Sequence, residues 1–393
     1  MAQDKNKTIP NVPPLRFPGF TDDWKRTTLG EICSIVGGGT PDTTKSELWN
    51  GNIQWFTPSE IGKQKYVTTS IRQISKIGLN SSSAKLLPAY SVLLSTRATI
   101  GECSINTMEC STNQGFQSLI PNSTTSTEFL YYLAQTKRKE LLRNSCGSTF
   151  QEISANEVRK IKVQLPTIEE QQKIAGILVR LDERIATQNK IIEDLKKLRA
   201  AIIDDHFDGL TVNSRIGDVI HEVSKRNKRN ADLPVLSVSN RQGFIAQSEQ
   251  FENRSIASDD TSSYKIVIKD DFAYNPARIN VGSIARLVNY ESGIVSPMYI
   301  CFHCSDEILP EYLELLFLSR YFQLEVEKRL EGSVRLCLSL EGLKSIQFRL
   351  RPIPEQKALI DRIRSIQSKL NNEELLCLLY QSQRKYLLKS MFI

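Results

Sequence analysis

Residues 166–207 read PTIEEQQKIAGILVRLDERIATQNKIIEDLKKLRAAIIDDHF, and residues 352–393 read PIPEQKALIDRIRSIQSKLNNEELLCLLYQSQRKYLLKSMFI. No proline occurs between Pro166 and Pro234, and none follows Pro354, so neither stretch carries a helix breaker once it has begun. Each opens just after a proline with an acidic first turn, Glu169-Glu170 or Glu355, which favours a helix N-terminus. Leu178, Leu181, Ile185, Ile192, Leu195 and Ile202 recur at heptad spacing in the first. At a constant offset of 185, Ile363, Ile366, Leu370, Cys377, Tyr380 and Leu387 do the same in the second. The polar breaks coincide too, Gln188 with Glu373 and Arg199 with Arg384. A sustained 3.5-residue seam on two helices of one chain predicts a coiled-coil-like, antiparallel pair whose breaks fix register. The alternative is two separate helices, each covering its own domain. Either way each rod is roughly 60 Å long at 1.5 Å per residue.

The same offset runs outward from these helices. Ile161 matches Ile346, Leu165 matches Leu350, and Gly147-Ser148 matches Gly332-Ser333, all at 185. Further upstream Phe129-Leu130 faces Tyr312-Leu313, Arg97-Ala98-Thr99-Ile100-Gly101 faces Arg278-Ile279-Asn280-Val281-Gly282, and Leu29-Gly30-Glu31-Ile32 faces Ile216-Gly217-Asp218-Val219. An ordered series that drifts by only a few positions is what loop insertions in a duplicated unit produce. The part of each repeat before its helix is rich in Ser, Thr, Asn and Gly, with short β-prone runs such as SVLLSTRATIG and KIVIKDDFAYNP between turn signals. STEFLYYLAQTKRKELLRN and PEYLELLFLSRYFQLEVEKRL carry helical spacing and end before Gly147 and Gly332. The fold class expected is α+β: two mixed α/β globular domains in a pseudo-two-fold tandem repeat, separated by two long paired helices. Its boundaries are an N-terminal extension over 1–19, a first domain over 20–165, a central helix over 166–210, a second domain over 211–350 and a C-terminal helix over 351–393.

A chain of 393 residues with 51 Lys and Arg against 44 Asp and Glu has a net charge of +7, a modest basic excess that permits phosphate contact without requiring it. The first twenty residues lack an apolar leader core, and no window approaches the ~18 apolar residues of a membrane span. The expected location is the cytoplasm, away from membranes. The eight cysteines show no disulfide-framework spacing. Cys301-Phe302-His303-Cys304 is the one pair with metal-ligand spacing, and without a second pair no metal site is expected.

Two unlike-looking domains separated by two long heptad helices resemble the specificity subunit of a type I restriction-modification enzyme. The local signs are PLRFPGFTDDWKRTTLGEI, GGGTP with WFTPSEIG, STRATIG, NQGFQSL, and LPTIEEQQKIAGIL echoed by RPIPEQKALIDRI. The resemblance implies that the globular parts are target-recognition domains reading the two halves of an interrupted site in double-stranded DNA. It further implies that the helices space them and dock two copies of a methyltransferase subunit, through which restriction subunits join. S-adenosylmethionine, ATP and Mg would serve those partners; this chain would bind no cofactor and hold no catalytic residue. Two rivals remain: a self-sufficient DNA methyltransferase, and a coiled-coil scaffold that never touches DNA.

Gly37-Gly38-Gly39 lacks the Lys-Ser/Thr ending of a phosphate loop and the spaced glycines of a dinucleotide loop. It suits a φ-permissive turn, serving either structure alone or close approach of backbone to DNA. Tyr274-Asn275-Pro276-Ala277 is similar to the Asn-Pro-Pro-aromatic box of adenine methyltransferases, yet Ala277 and Arg278 replace its last two residues, so it reads as a loop. Arg, Asn and Gln read bases, whereas Lys, Ser and Thr mainly hold phosphates. On that basis the candidate DNA contacts are Arg97 and Arg278 at equivalent glycine-closed turns, Ser59 and Glu60 beside Asn240 and Arg241, Asn113 and Gln114, and Ser148 and Thr149 beside Ser333 and Arg335. The alternative for each arginine is a surface ion pair. Lys225, Arg226, Lys228 and Arg229 form either a solvated loop or a phosphate clamp.

Overall fold

The structure, a computed structural model, describes residues 11–147, 151–209, 211–240, 242–247, 260–332 and 335–393. It falls into two units, the first made of residues up to Gln188 together with Leu376–Ile393, the second of Asn189–Leu375.

In the first unit β1 (Lys25–Thr28), α1 (Leu29–Ile32), β2 (Cys33–Gly37), β3 (Trp49–Phe56), β4 (Tyr66–Val67), β5 (Arg72–Ile74) and α2 (Lys76–Asn80) come first. They are followed by β6 (Val92–Leu94), β7 (Cys103–Asn106), β8 (Cys110–Thr112), β9 (Gln117–Pro121), α3 (Thr127–Thr136), α4 (Arg138–Arg143), α5 (Ala155–Lys160) and β10 (Lys162–Leu165). The strands form a five-stranded sheet ordered β2-β9-β6-β7-β4, a three-stranded sheet β5-β3-β8, and a ribbon in which β10 returns antiparallel to β1. The ribbon delivers the chain to α6 (Ile168–His206).

The second unit carries β11 (Ser214–Arg215), β12 (Ile220–Glu222), β13 (Val235–Ser239), β14 (Gly243–Ala246), β15 (Lys265–Ile268), β16 (Phe272–Tyr274), β17 (Ile284–Arg286), β18 (Ser292–Val295) and β19 (Ile300–Cys304). Then come α7 (Pro310–Leu318), α8 (Arg320–Glu327), α9 (Leu340–Lys344) and β20 (Gln347–Phe348). Two four-stranded sheets, β12-β19-β16-β17 and β14-β13-β18-β15, replace the five and three of the first unit. The closing ribbon is kept: β20 pairs antiparallel with β11 and leads into α10 (Ile353–Ser390).

The two predicted domain helices are each broken in two. Thr136 ends α3 one residue before α4 begins, and α7 stops at Ser319, whose hydroxyl donates to the Leu316 carbonyl at 2.7 Å and accepts from the Phe322 amide at 3.1 Å. A serine that caps the next helix in this way competes with continuation of the previous one. Gly147 and Gly332 both hold left-handed φ, 117° and 121°, as chain-reversing stops.

Both long helices are shared between the units. Ile174, Ala175, Leu178 and Leu181 from the start of α6, and Leu387, Met391 and Phe392 from the end of α10 and just beyond, complete the first unit's core. Phe392 stacks on Phe129 with centroids 5.1 Å apart. In the second unit Ile203 and Phe207 meet Leu359, Ile360 and Ile363, and Phe207 lies 5.1 Å from Tyr312. Of the seam positions, Leu178, Leu181, Ile363, Leu370, Cys377 and Leu387 are buried, and Ile185, Ile192, Leu195, Ile202, Ile366 and Tyr380 are half-buried. Pairing is antiparallel within each unit's own part: Asp182 meets Arg384 and Arg184 lies over Tyr380 in the first, and Lys196 pairs with Glu374 at 2.7 Å in the second. The polar breaks are not equivalent in detail. Arg384 bonds Asp182 and Gln135, whereas the buried Arg199 Nε has no hydrogen-bond partner among the described residues.

Each long helix is fastened to its unit by one fully buried glutamine that the sequence reading passed over. Gln171 Nε2 donates to the carbonyls of Thr124 and Pro166, each at 3.0 Å, and its Oε1 accepts from the Ser126 amide at 2.9 Å. Gln356 Nε2 donates to the carbonyls of Glu307 (3.0 Å) and Arg351 (2.8 Å), and its Oε1 accepts from the Leu309 amide at 2.9 Å. The partners themselves follow the sequence offsets of 183 and 185.

Candidate nucleic-acid interface

The triple glycine is a packing device. None of the three has positive φ, so the turn does not need their conformational freedom. A Cβ on Gly38 would collide with the carbonyl oxygens of Thr112 and Asn113, and one on Gly39 with the Ser83-Ala84 backbone. The Gly39 amide donates to the Thr112 carbonyl at 2.8 Å, and its carbonyl accepts from Trp55 Nε1 at 2.9 Å. The expectation of a φ-permissive turn is thus corrected: the glycines let three backbone segments touch, and so pin the loop that follows β8.

That loop forms one wall of a cleft of about 930 Å³. Ser59, Arg97, Asn113 and Gln114, four residues scattered over more than fifty positions, line it together. Asn113 is set by its own amide, which donates to the Phe56 carbonyl at 3.0 Å, and by its Oδ1, which accepts from the Gly115 amide at 2.8 Å. Gln114 is exposed and accepts from the Thr40 hydroxyl, tying the glycine loop to the wall. Arg97 sits in a turn closed by Gly101 at φ 84° and pairs with Glu152 at 2.7 Å. Arg138, Gln151 and Glu152 also line the cleft. Sequence reading missed these three because Arg138 lay inside a predicted helix and the others beside no motif.

Glu60 belongs to the frame rather than to the cleft wall. Its Oε2 accepts from the Thr57 amide (2.8 Å) and hydroxyl (2.7 Å), and its Oε1 accepts from the Ile71 amide at 2.7 Å. With both oxygens occupied as a cap, it fixes the turn that displays Ser59 and holds the loop that leaves Ile71 86% exposed.

In the second unit Arg278 lies on the surface in a turn that Gly282 closes at φ 88°, and Gly282 packs next to Asn240. The Arg278 turn and the end of β13 are therefore neighbours, and Arg278 and Asn240 are both exposed. Among the described residues Arg278 makes no ion pair. The basic stretch is a built turn: buried Asn227 donates to the Ala231 carbonyl at 3.0 Å and accepts from the Ala231 amide at 2.9 Å. Lys225, Arg226, Lys228 and Arg229 consequently all point outward. Arg335 is exposed elsewhere, beyond Gly332. Ser148, Thr149, Arg241 and Ser333 lie outside the described residues.

Tyr274 and Asn275 are core. The Tyr274 hydroxyl donates to the Leu338 carbonyl at 3.2 Å, and Asn275 Oδ1 accepts from the Ala277 amide at 3.1 Å, so this amide is turned inward to its own loop. Burial pushes the Cys301 and Cys304 thiols up to about 12, far from thiolate at neutral pH. Among the described residues no three His, Cys, Asp or Glu side chains gather as metal ligands, and no helix is long and apolar enough to cross a membrane.

Residues 21–197, which contain the cleft, match the family described as Type I restriction modification DNA specificity domain. The match runs from just before β1 into α6. Over 189 residues it is 35% identical to the MjaIX type I restriction enzyme specificity subunit of Methanocaldococcus jannaschii, covering 47% of this chain and 44% of that protein. Over 190 residues it is 31% identical to a type I restriction enzyme specificity subunit of Escherichia coli, covering 47% and 46%. The chain thus spans less than half the length of these two relatives. Its fold extends the likeness: the S subunit of a type I restriction-modification system from M. genitalium superposes over 97% of this chain and 99% of that one, with a TM-score of 0.57 at 16% identity. The chain has the fold of the specificity subunits, mixed helix and sheet with long helices.

Proposed function

We propose that the chain is the non-catalytic, DNA-reading subunit of a type I restriction-modification complex, with readers over 20–165 and 211–350, each taking one half of an interrupted site. The observation that carries this is the cleft, where Arg97, Asn113, Gln114, Arg138 and Gln151 converge inside a DNA specificity domain. Those are the side chains able to bond base edges in pairs. In the second reader Arg278 and Asn240 take the corresponding role, and the outward cations at 225–229 hold phosphates. The paired helices α6 and α10 set the spacing between half-sites and dock two methyltransferase subunits, through which restriction subunits assemble. S-adenosylmethionine, ATP and Mg act on those partners.

Methylated adenines are mapped in cells carrying the methyltransferase subunit with and without this chain. Methylation at an interrupted motif only when the chain is present is expected. Exchanging 216–350 for the matching part of a relative should then change one half of the motif. A swap that alters both halves, or methylation indifferent to the chain, overturns the reading.

A further inference from the structure

Glu152 is an unexpected residue to find in a cleft meant for a polyanion. Its charge repels phosphate, and an ion pair whose members are 43% and 37% exposed contributes little stability. Its mounting is nonetheless stiff. Amide and carbonyl of Glu152 both bond Cys146 at 2.9 Å, and the next residue, Ile153, donates to the Thr96 carbonyl at 3.2 Å. Arg97 is held equally firmly: its carbonyl accepts from the Ser95 hydroxyl at 2.8 Å and the Thr99 amide at 2.5 Å, and Ala98 is fixed at φ 55°. Two rigid backbones therefore present a carboxylate and a guanidinium to each other at 2.7 Å. That contact engages Nη2 alone and leaves the other donors of the fork free of Glu152.

The second unit repeats the ladder without a carboxylate at the position of Glu152. There Glu331 and Cys337 exchange the same pair of backbone hydrogen bonds, at 2.9 and 2.8 Å, so Cys337 stands where Glu152 does. Among the described residues Arg278 accordingly has no carboxylate partner to orient it.

We propose that Glu152 is a positioning residue for base reading: it sets the Arg97 guanidinium to engage one guanine, through O6 and N7, in the first half-site. The inference rests on the cleft being a DNA reader. It explains why the cleft keeps a negative charge, since an oriented arginine gives selectivity where a free one gives mainly attraction to phosphate.

The test uses the assembled complex and competition binding against every single-base variant of the mapped site, with Arg97→Ala, Glu152→Ala, Glu152→Gln and the Arg97→Ala/Glu152→Ala double variant. Glu152→Ala should relax the same base pair as Arg97→Ala by on the order of 10-fold, and the double variant should be no more relaxed than Arg97→Ala. Non-specific DNA should bind Glu152→Ala as tightly as the parent or more so. The near-isosteric Glu152→Gln should relax the same base pair with the complex's melting temperature unchanged, separating orientation from folding. Unaltered discrimination in both Glu152 variants, or relaxation at a different base pair, overturns the proposal. If Arg97→Ala itself leaves every position unchanged, the reading of the cleft fails, and the inference falls with it.

Discussion

Replacing Gln356 by alanine tests the anchoring of the long helix. The side chain is fully buried and satisfies three backbone groups: the Leu309 amide and the carbonyls of Glu307 and Arg351. Alanine orphans all three inside the unit. Each buried group left unpaired costs about 1–3 kcal/mol, and entry of a water into the vacated space recovers part of that, giving a net loss of about 3–5 kcal/mol. For a unit of roughly 200 residues each kcal/mol lowers Tm by about 2–4 °C, so a fall of about 10 °C is expected. Differential scanning calorimetry of the intact chain resolves which unit is affected, because Gln171→Ala should lower the first unit's transition by a similar amount and leave the other in place. Gln356→Glu should be at least as destabilising as alanine, since it keeps the acceptor for Leu309 but sets a carboxylate oxygen against the Glu307 and Arg351 carbonyls. If both alanine variants melt within about 1 °C of the parent, the glutamines do not bear the joints and the three-bond argument is wrong.

Further tests concern reading, spacing and pH. Alanine at Arg97 or Arg278 should cost on the order of 1–3 kcal/mol and relax only its own half-site; a change that weakens all sequences alike and lowers the salt slope marks a phosphate contact instead. A matched heptad inserted in both long helices adds about 10 Å, close to three base pairs at ~3.4 Å each, and should lengthen the methylated spacer; a folded variant restricted to the original spacing refutes the ruler. His206 bonds the Tyr312 hydroxyl at 2.9 Å, and burial, with Arg351 nearby, holds its pKa below the ordinary value of about 6.5. The unfolded chain therefore takes up the proton first, so the second unit's stability is whole above about pH 7 and declines as pH falls through 6.5. His206→Gln should flatten that decline in calorimetry between pH 7.5 and 5.5, and an unchanged slope would show that the imidazole titrates alike in the folded and unfolded chain.

The heptads were legible because burial on a helix follows a period, and Leu178 to Ile202 and Ile363 to Leu387 keep that period through both units. Arg97, Asn113 and Gln114 were legible as residue types, but their convergence was not, since it depends on the segments that follow β3 and β8 meeting the 95–101 turn around Gly115. Glu60 was read as a DNA contact without its capping role, because a capping carboxylate and a base-reading one look alike until their partners are seen. The two buried glutamines sat in the quoted EEQQ and PEQK, one heptad before Leu178 and Ile363, where they read only as polar ends of the seam; they bond backbone alone, which no side-chain pattern records. The breaks at Lys137 and Ser319 escaped because apolar spacing continues across them.

The way α6 and α10 are shared bears on how the protein is made. The second unit is one continuous stretch, Asn189–Leu375, whereas the first needs Leu376–Ile393 to finish its core. A growing chain normally settles its N-terminal domain first. Here the first reader waits, with Phe129 and its neighbours uncovered, until the whole of the second has left the ribosome and Leu387, Met391 and Phe392 arrive. A stop codon between Leu375 and Leu387 would spare every residue of the second unit and strip the first of its floor. Such a message yields an apolar surface for chaperones and proteases rather than a half-reader, so only chains translated through both readers escape that triage.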